Sequence, residues 1–324
     1  MPVLRASSSQ AWQAQSSISA HEGEIGMPRT KRPAPYDVFI EHFNDACLLL
    51  RLAEMLQNEG QGKARAEVRE ELDSVFQLSQ EDRETLDVAA SRWAWIVVKG
   101  DSPVKPHHLQ HATEILTRNA IIVAATAVEV WLEEFACRQV GNILKKAEST
   151  PEIRQRLRKV NTDLGEILDI ERSYERRVWG YRKILEDYIR SRASTNPGKF
   201  TEVLQLVDLW PGSWKAIGDE LQRCFGSPSD PSSTATEKWQ ALLAQWRQDG
   251  LHIEYLFEGR ATASSTSYDL SKPDEALADL CKWRNWIVHG DYPREPLPSL
   301  ERVRDLLNII VLIITNLEKF GIGR

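Results

Sequence analysis

The sequence has little of what marks secreted, membrane-spanning or zinc-binding proteins. Its 324 residues include 4 cysteines, and no two of them are spaced as CxxC. Scattered thiols are typical of a reducing compartment and provide no zinc motif. The longest aliphatic run, residues 309–314, is far shorter than the ~20 residues that a membrane span needs. The first residues lack the apolar core of a signal peptide. We therefore predict a soluble cytoplasmic protein without membrane contact.

The common nucleotide and metalloprotease motifs are also missing. No GxxxxGK[ST], GxGxxG or HExxH occurs, which excludes the usual P-loop, dinucleotide-binding and zincin classes. The net charge of −6 excludes a uniformly basic surface of the kind that coats nucleic acid. Any nucleic-acid site must therefore be a local basic pocket on an acidic protein.

What the sequence does contain is helical periodicity and many large rings. Its 42% hydrophobic and 27% charged residues are an ordinary globular balance, and its 11 tryptophans favour a solid core. Apolar residues recur at helical spacing, which predicts an all-α helical bundle of about eight helices. The predicted helices cover residues 36–57, 63–76, 79–99, 107–146, 151–170, 171–193, 271–290 and 296–320. Composition predicts loops at 194–199 and 225–237, and LHIEYLF (251–257) is compatible with a strand or hairpin.

Composition divides the chain into three regions. Residues 1–35 are rich in Ser, Gln and Pro and predict a disordered tail, in which Met27 is an alternative start. Residues 36–106 form an N-terminal helical segment, and 107–324 form the main domain. RWAWIVVKGDSPVKP (92–106) aligns without gaps to KWRNWIVHGDYPREP (282–296). The N-terminal segment is thus either a degenerate copy of the main domain or part of the same bundle.

One stretch near the C-terminus, CKWRNWIVHGDYP (281–293), has two interpretations. As a helix end, His289 interacts with the helix dipole, and Gly290 followed by Pro is ordinary stop chemistry. As a site, Asn285 and His289 lie four residues apart on one helical face, where their side chains can meet, and the long Arg284 side chain reaches the same place.

The order Arg284, Asn285, three residues, His289 resembles the signature of HEPN domains. In that family the motif lies on the penultimate helix of an all-α bundle, before a turn and a closing amphipathic helix, as predicted here. The resemblance covers roughly 107–320 and is best to the branch of RNA-repair and defence-associated proteins. An early apolar helix in that branch carries a glutamate, and AATAVEVWLEEF provides Glu129 at this place.

The resemblance implies a metal-independent endoribonuclease that acts as a homodimer without a cofactor. His289 would serve as general acid or base, and Arg284 would stabilise the phosphate charge. Asn285 would orient the imidazole or contact the phosphate, and Glu129 would form a salt bridge that orients Arg284. RNA supplies its own nucleophile, the 2′-hydroxyl, so the products would end in 2′,3′-cyclic phosphate and 5′-hydroxyl. The expected role is in toxin or antiviral defence, with an antitoxin or regulatory protein as a possible partner.

Two alternatives remain open from the sequence. The chain could be a non-catalytic HEPN-like module that binds nucleotides or assembles with other proteins, or a plain helical scaffold. Other chemistry-bearing stretches favour ordinary structure. His107, His108 and His111 have no further metal ligand in view, and the basic, aromatic stretch 171–183 has the glutamates of a normal charged helix.

Overall fold

The computed structural model is helical throughout its described residues and contains no β-strand there, which confirms the predicted all-α class. The described residues form eight α-helices, one 3₁₀ helix and one π turn, and all of these contribute to a single hydrophobic core. Within this part, no helix is both long and apolar enough to cross a membrane. The described residues are 34–60, 106–146, 160, 177–225, 234–257, 268–289 and 297–320.

The two longest helices pack along each other. Helix α1 spans Pro35–Gly60 and α2 spans Pro106–Lys146. The rings of Phe39 and Phe43 on α1 are fully buried, with their centroids 5.0 Å apart. Helix α1 therefore belongs to the same core as the helices of the main domain.

The C-terminal helix α8, Leu300–Thr315, is the most completely buried element. Its N-cap is Ser299, whose hydroxyl accepts a hydrogen bond from the N–H of Arg302 at 3.3 Å. From residue 303 to 315 every side chain except Arg304 is buried. The expected closing helix is therefore present, but beyond its first turns it has no exposed polar face, because residues 306–314 are apolar at every position except 308.

Two buried polar side chains of α8 make hydrogen-bond contacts with other elements. Buried Asn308 donates from its Nδ2 to the carbonyl of Leu256 at 3.3 Å. The Thr315 and Tyr36 hydroxyl oxygens lie 3.1 Å apart, which links α8 to α1. A π turn, Asn316–Phe320, follows directly.

The predicted loop at 194–199 is wrong in its second half. Helix α3, Arg177–Arg192, is followed by α4, which begins at Pro197 and ends at Leu206. The Asn196 side chain caps α4 by accepting from the N–H groups of Gly198 at 3.0 Å and Lys199 at 3.2 Å. An Asn cap followed by Pro in the first turn is a strong helix start, so the same residues that suggested a loop begin a helix.

The region before the candidate site also differs from the sequence interpretation. Helix α5 spans Trp214–Phe225 and α6 spans Thr234–Gln248, so the predicted loop 225–237 is helical at both ends. The segment LHIEYLF is neither strand nor hairpin, since His252–Phe257 form a 3₁₀ helix. Ile253 and Leu256 are fully buried in this turn, so its apolar character reflects insertion into the core.

Helix α7, Pro273–His289, carries the candidate motif. Ser271, a residue type that often caps a helix, lies two residues before the helix and is not its N-cap. Its N–H donates to Asp269 Oδ1 at 2.8 Å, so Ser271 closes the preceding turn.

Several sequence predictions lie outside the described residues. These are the tail up to residue 33, the helices at 63–76 and 79–99, and the helix at 151–170 apart from Val160. The first copy of the repeated stretch and the predicted stop at Gly290 also lie outside the described residues.

Candidate functional site

The inner face of α7 is fixed by core packing. Helical spacing places Ala276, Leu280, Trp283 and Ile287 on one face, and of these the first three are buried together with Leu277, whereas Ile287 is only partly buried. The helix begins with two acidic residues and ends with His289, an arrangement that suits the helix dipole at both ends. Rigid packing of the inner face determines where the outward side chains of the last two turns lie.

Arg284 is held by an ion pair from a different helix. Its Nη2 lies 3.5 Å from Oε2 of Glu129, near the middle of α2, where α7 packs against α2. The Arg284 side chain is 35% exposed and that of Glu129 is 22% exposed. Arg284 Nη1 also donates to Oδ1 of Asn285 at 3.2 Å. The guanidinium is therefore held on two sides while part of it still faces solvent.

Glu129 has an unusual electrostatic environment. Burial raises the pKa of its carboxyl above the ordinary value, and the positive charge of Arg284 is the largest effect that opposes this shift. A hydrogen bond from the Thr195 backbone and the charge of Lys199 lower the pKa further. Glu129 thus lies in a partly desolvated position between two cationic side chains.

Asn285 makes contacts other than the one its spacing suggested. Its Oδ1 accepts from Arg284, and its Nδ2 lies 3.6 Å from Sγ of the half-buried Cys281, one turn earlier on α7. No hydrogen bond joins Asn285 to His289 among the described residues. The two residues share a helical face, but the Asn285 amide is directed along the helix towards its N-terminal end.

His289 is the exposed last residue of α7. In the part of the chain that the structure describes, its imidazole has no hydrogen bond or ion pair. Its neighbour Val288 is 54% exposed, so this end of the helix is open to solvent. His289 is therefore open to solvent, and none of the described residues holds its ring.

The two tryptophans of the motif have different environments. Trp283 is buried in the core, with the Arg302 guanidinium carbon 5.6 Å from its ring centroid. Arg302 also donates to Asp279 at 3.0 Å, one turn before Trp283 on α7. Trp286 is only partly buried, and Nζ of Lys282 lies 4.1 Å from its ring centroid.

The other candidate stretches show ordinary structural roles where they are described. His111 is exposed, and the side chains of His107 and His108 lie outside the described residues. The described residues contain no group of three or more His, Cys, Asp or Glu side chains that could hold a metal ion. In the basic stretch 171–183, Tyr181 is fully buried and Arg182 pairs with Glu186 at 2.6 Å, so this part is a charged helix packed on the core.

Sequence reasoning missed Thr195 and Lys199 as neighbours of Glu129. Both belong to the segment that was predicted as a loop. The Asn196–Pro197 pair could have located the start of α4, but no spacing in the sequence relates that start to the middle of α2.

No known protein-family model matches the chain, and no curated protein or solved structure does so either. The HEPN resemblance therefore depends on the motif and its position in the helix order, and function has to be argued from the residues themselves.

Proposed function

We propose that the chain is an endoribonuclease of HEPN type that cuts RNA at the end of α7. The observation that carries this proposal is the Glu129–Arg284 ion pair, because it holds a partly exposed guanidinium on the helix that ends in His289. An arginine held in place five residues before an exposed histidine provides a phosphate ligand and a proton-transfer group on one helix. Asn285 supports this arrangement by accepting a hydrogen bond from Arg284.

The proposed reaction needs no nucleophile from the protein. The RNA 2′-hydroxyl loses its proton, and its oxygen attacks the adjacent phosphorus. The bond from phosphorus to the 5′-oxygen breaks, and that oxygen takes a proton and leaves as a hydroxyl. His289 moves a proton in this sequence, and the Arg284 guanidinium stabilises the negative charge that develops on the phosphate oxygens.

Glu129 acts as a positioning residue in this proposal. Its carboxylate keeps Arg284 extended across the surface between α2 and α7, so that little side-chain freedom is lost when a phosphate binds. The resemblance further implies that two copies of the chain bring two such motifs together, with a role in toxin or antiviral defence. We include the homodimer and a regulatory or antitoxin partner in the proposal on that basis alone.

The chemistry can be tested with modified RNA. A single-stranded RNA that the protein cuts is resynthesised with one 2′-deoxy nucleotide immediately 5′ of the cut. The proposal predicts that this position resists cleavage while other cuts persist, and that the products of unmodified RNA carry 2′,3′-cyclic phosphate. Cleavage at the deoxy position would contradict the proposed reaction. RNA that is bound but never cut would instead favour the non-catalytic nucleotide-binding module.

A further inference from the structure

Trp286 lies beside the proposed cleavage residues and is not fully used by the core. It packs against core residues on one side but remains partly exposed, whereas Trp283, three residues earlier, is buried. Lys282, Trp286 and His289 are spaced by four and then three residues, so they form one continuous stripe along α7. The indole is thus a helical neighbour of the exposed imidazole.

One cation lies beside this indole. The Lys282 ammonium is 4.1 Å from the Trp286 ring centroid. Asp279, one turn before Trp283, accepts hydrogen bonds from Arg302 at 3.0 Å and from the Tyr268 hydroxyl at 2.7 Å, so its charge is already compensated. A partly exposed ring beside a lysine can bind single-stranded nucleic acid, because a base stacks on the ring and a phosphate pairs with the cation.

We propose that Trp286 is the stacking platform for a nucleobase next to the scissile phosphate. This inference rests on the proposed function and adds the class of substrate, single-stranded RNA with an unpaired base at that position. The base takes the place of the Lys282 ammonium over the indole, and the displaced ammonium pairs with a neighbouring phosphate. A base-paired nucleotide cannot reach the ring, so an RNA duplex is a poor substrate.

The test is a thermodynamic cycle between the protein and the RNA. Binding is measured by fluorescence anisotropy with full-length protein that carries His289→Ala, so that the RNA stays intact. The probe is a short single-stranded RNA that spans a mapped cut, either unmodified or with an abasic site at one of the two flanking nucleotides. We expect Trp286→Leu to weaken binding of the unmodified RNA about tenfold and to change binding of one abasic RNA by less than about twofold.

Two further variants separate stacking from folding. Trp286→Phe keeps an aromatic ring and is expected to retain most of the affinity. Trp210→Leu removes a comparably half-buried indole between α4 and α5 and is expected to leave binding unchanged. Equal losses on intact and abasic RNA, or no rescue by phenylalanine, would overturn the stacking inference.

The outcomes also distinguish this inference from the function on which it rests. If the wild-type protein cuts RNA but the cycle shows no coupling between Trp286 and a base, the proposed ribonuclease function stands and the stacking role of Trp286 is overturned. If the cycle shows this coupling but the wild-type protein binds RNA without cutting it, the stacking role of Trp286 stands and the proposed cleavage reaction is overturned. Absence of both binding and cutting would overturn both.

Discussion

At the scale of single residues, the proposed site depends on how the Arg284 side chain is held. An arginine at the surface of a helix samples many rotamers, and each rotamer that is fixed only on binding reduces affinity. Here the 3.5 Å contact with Glu129 supplies that restraint before substrate arrives. The resemblance led us to expect this salt bridge, and the structure contains it, although its role in catalysis is a prediction. The contributions of Thr195 and Lys199 could not be predicted, because they come from a segment far from Glu129 in sequence.

Replacing Glu129 tests the restraint directly. Glu129→Gln keeps the shape of the side chain but removes its charge, so we expect kcat for RNA cleavage to fall about tenfold. Arg284→Lys removes the planar guanidinium and is expected to lower kcat by about 10²-fold. The measurement is steady-state cleavage of a labelled oligonucleotide.

The unfolding free energy of the Glu129→Gln and Arg284→Lys variants is the control for their activities. A partly exposed ion pair contributes only about 0–1 kcal/mol to folding, so neither variant should unfold the protein. A larger loss of unfolding free energy in chemical denaturation would mean that the pair is mainly structural. In that case the fall in activity would not report on catalysis.

Glu129 should also leave a signature in the pH dependence of stability. Burial raises the pKa of its carboxyl in the folded protein above the ordinary value of 4.5, so the folded state binds the proton more tightly than the unfolded state. Its contribution to stability is therefore fully present below pH 4.5 and is lost as the pH rises through the folded-state pKa. We expect the unfolding free energy of the wild type, minus that of Glu129→Gln, to fall between acidic and neutral pH. A difference that rises with pH would show that the pKa is lowered instead.

At the scale of elements, α7 was the most predictable part of the site and its surroundings were the least. The apolar spacing of 276, 280, 283 and 287 and the final His289 indicated the helix and its inner face, and the structure has both, with Ile287 only partly buried. The start of α7 depends on tertiary contacts that no local pattern reports. A Cβ at Gly218 of α5 would lie 2.5 Å from the Ser271 carbonyl oxygen, so α5 touches the turn that precedes α7.

This close approach predicts a large effect from one methyl group. Gly218→Ala forces α5 away from the Ser271 backbone and is expected to lower the unfolding free energy by about 1–3 kcal/mol. Gly141→Ala is the matched control, because a Cβ at that helical position has nothing within 4 Å. The control is expected to raise stability by up to about 1 kcal/mol, since alanine favours helix over glycine. Equal effects in chemical denaturation would contradict the packing of α5 on this turn.

At the scale of the whole molecule, periodicity was sufficient for the fold class but not for the arrangement. Apolar residues recur every 3.6 residues along most of the sequence, which indicates helices. Each apolar stripe has to be buried against another helix, so the spacing predicted an all-α bundle. The resemblance placed a closing amphipathic helix at the C-terminus, whereas α8 is buried on nearly all sides. Its run of aliphatic residues at 309–314 was visible in the sequence, but which helices surround it depends on contacts distant in sequence.

The charge of the whole chain makes salt dependence informative. The net charge is −6, so we expect RNA binding to come from local cations, and the candidates around the site are Lys282 and Arg284 on α7 and Lys199, whose charge acts on Glu129. Each phosphate neutralised on a single strand contributes about −0.7 to the slope of log affinity against log salt, which predicts a slope near −2. Lys199→Ala should make the slope shallower by about 0.7. Lys272→Ala, which removes a lysine before the opposite end of α7, should leave the slope unchanged, and the same change in both variants would argue against a local site.

Cleavage of end-labelled single-stranded RNA in excess EDTA by three purified proteins tests directly whether His289 belongs to a metal-independent ribonuclease site. These are the wild type, His289→Ala, and His111→Ala, which removes an exposed histidine from α2 instead. We expect the wild type and His111→Ala to cut at equal rates and His289→Ala to be slower by at least about 10²-fold. Cleavage by His289→Ala at the wild-type rate, or by none of the three proteins, would contradict the proposed ribonuclease site.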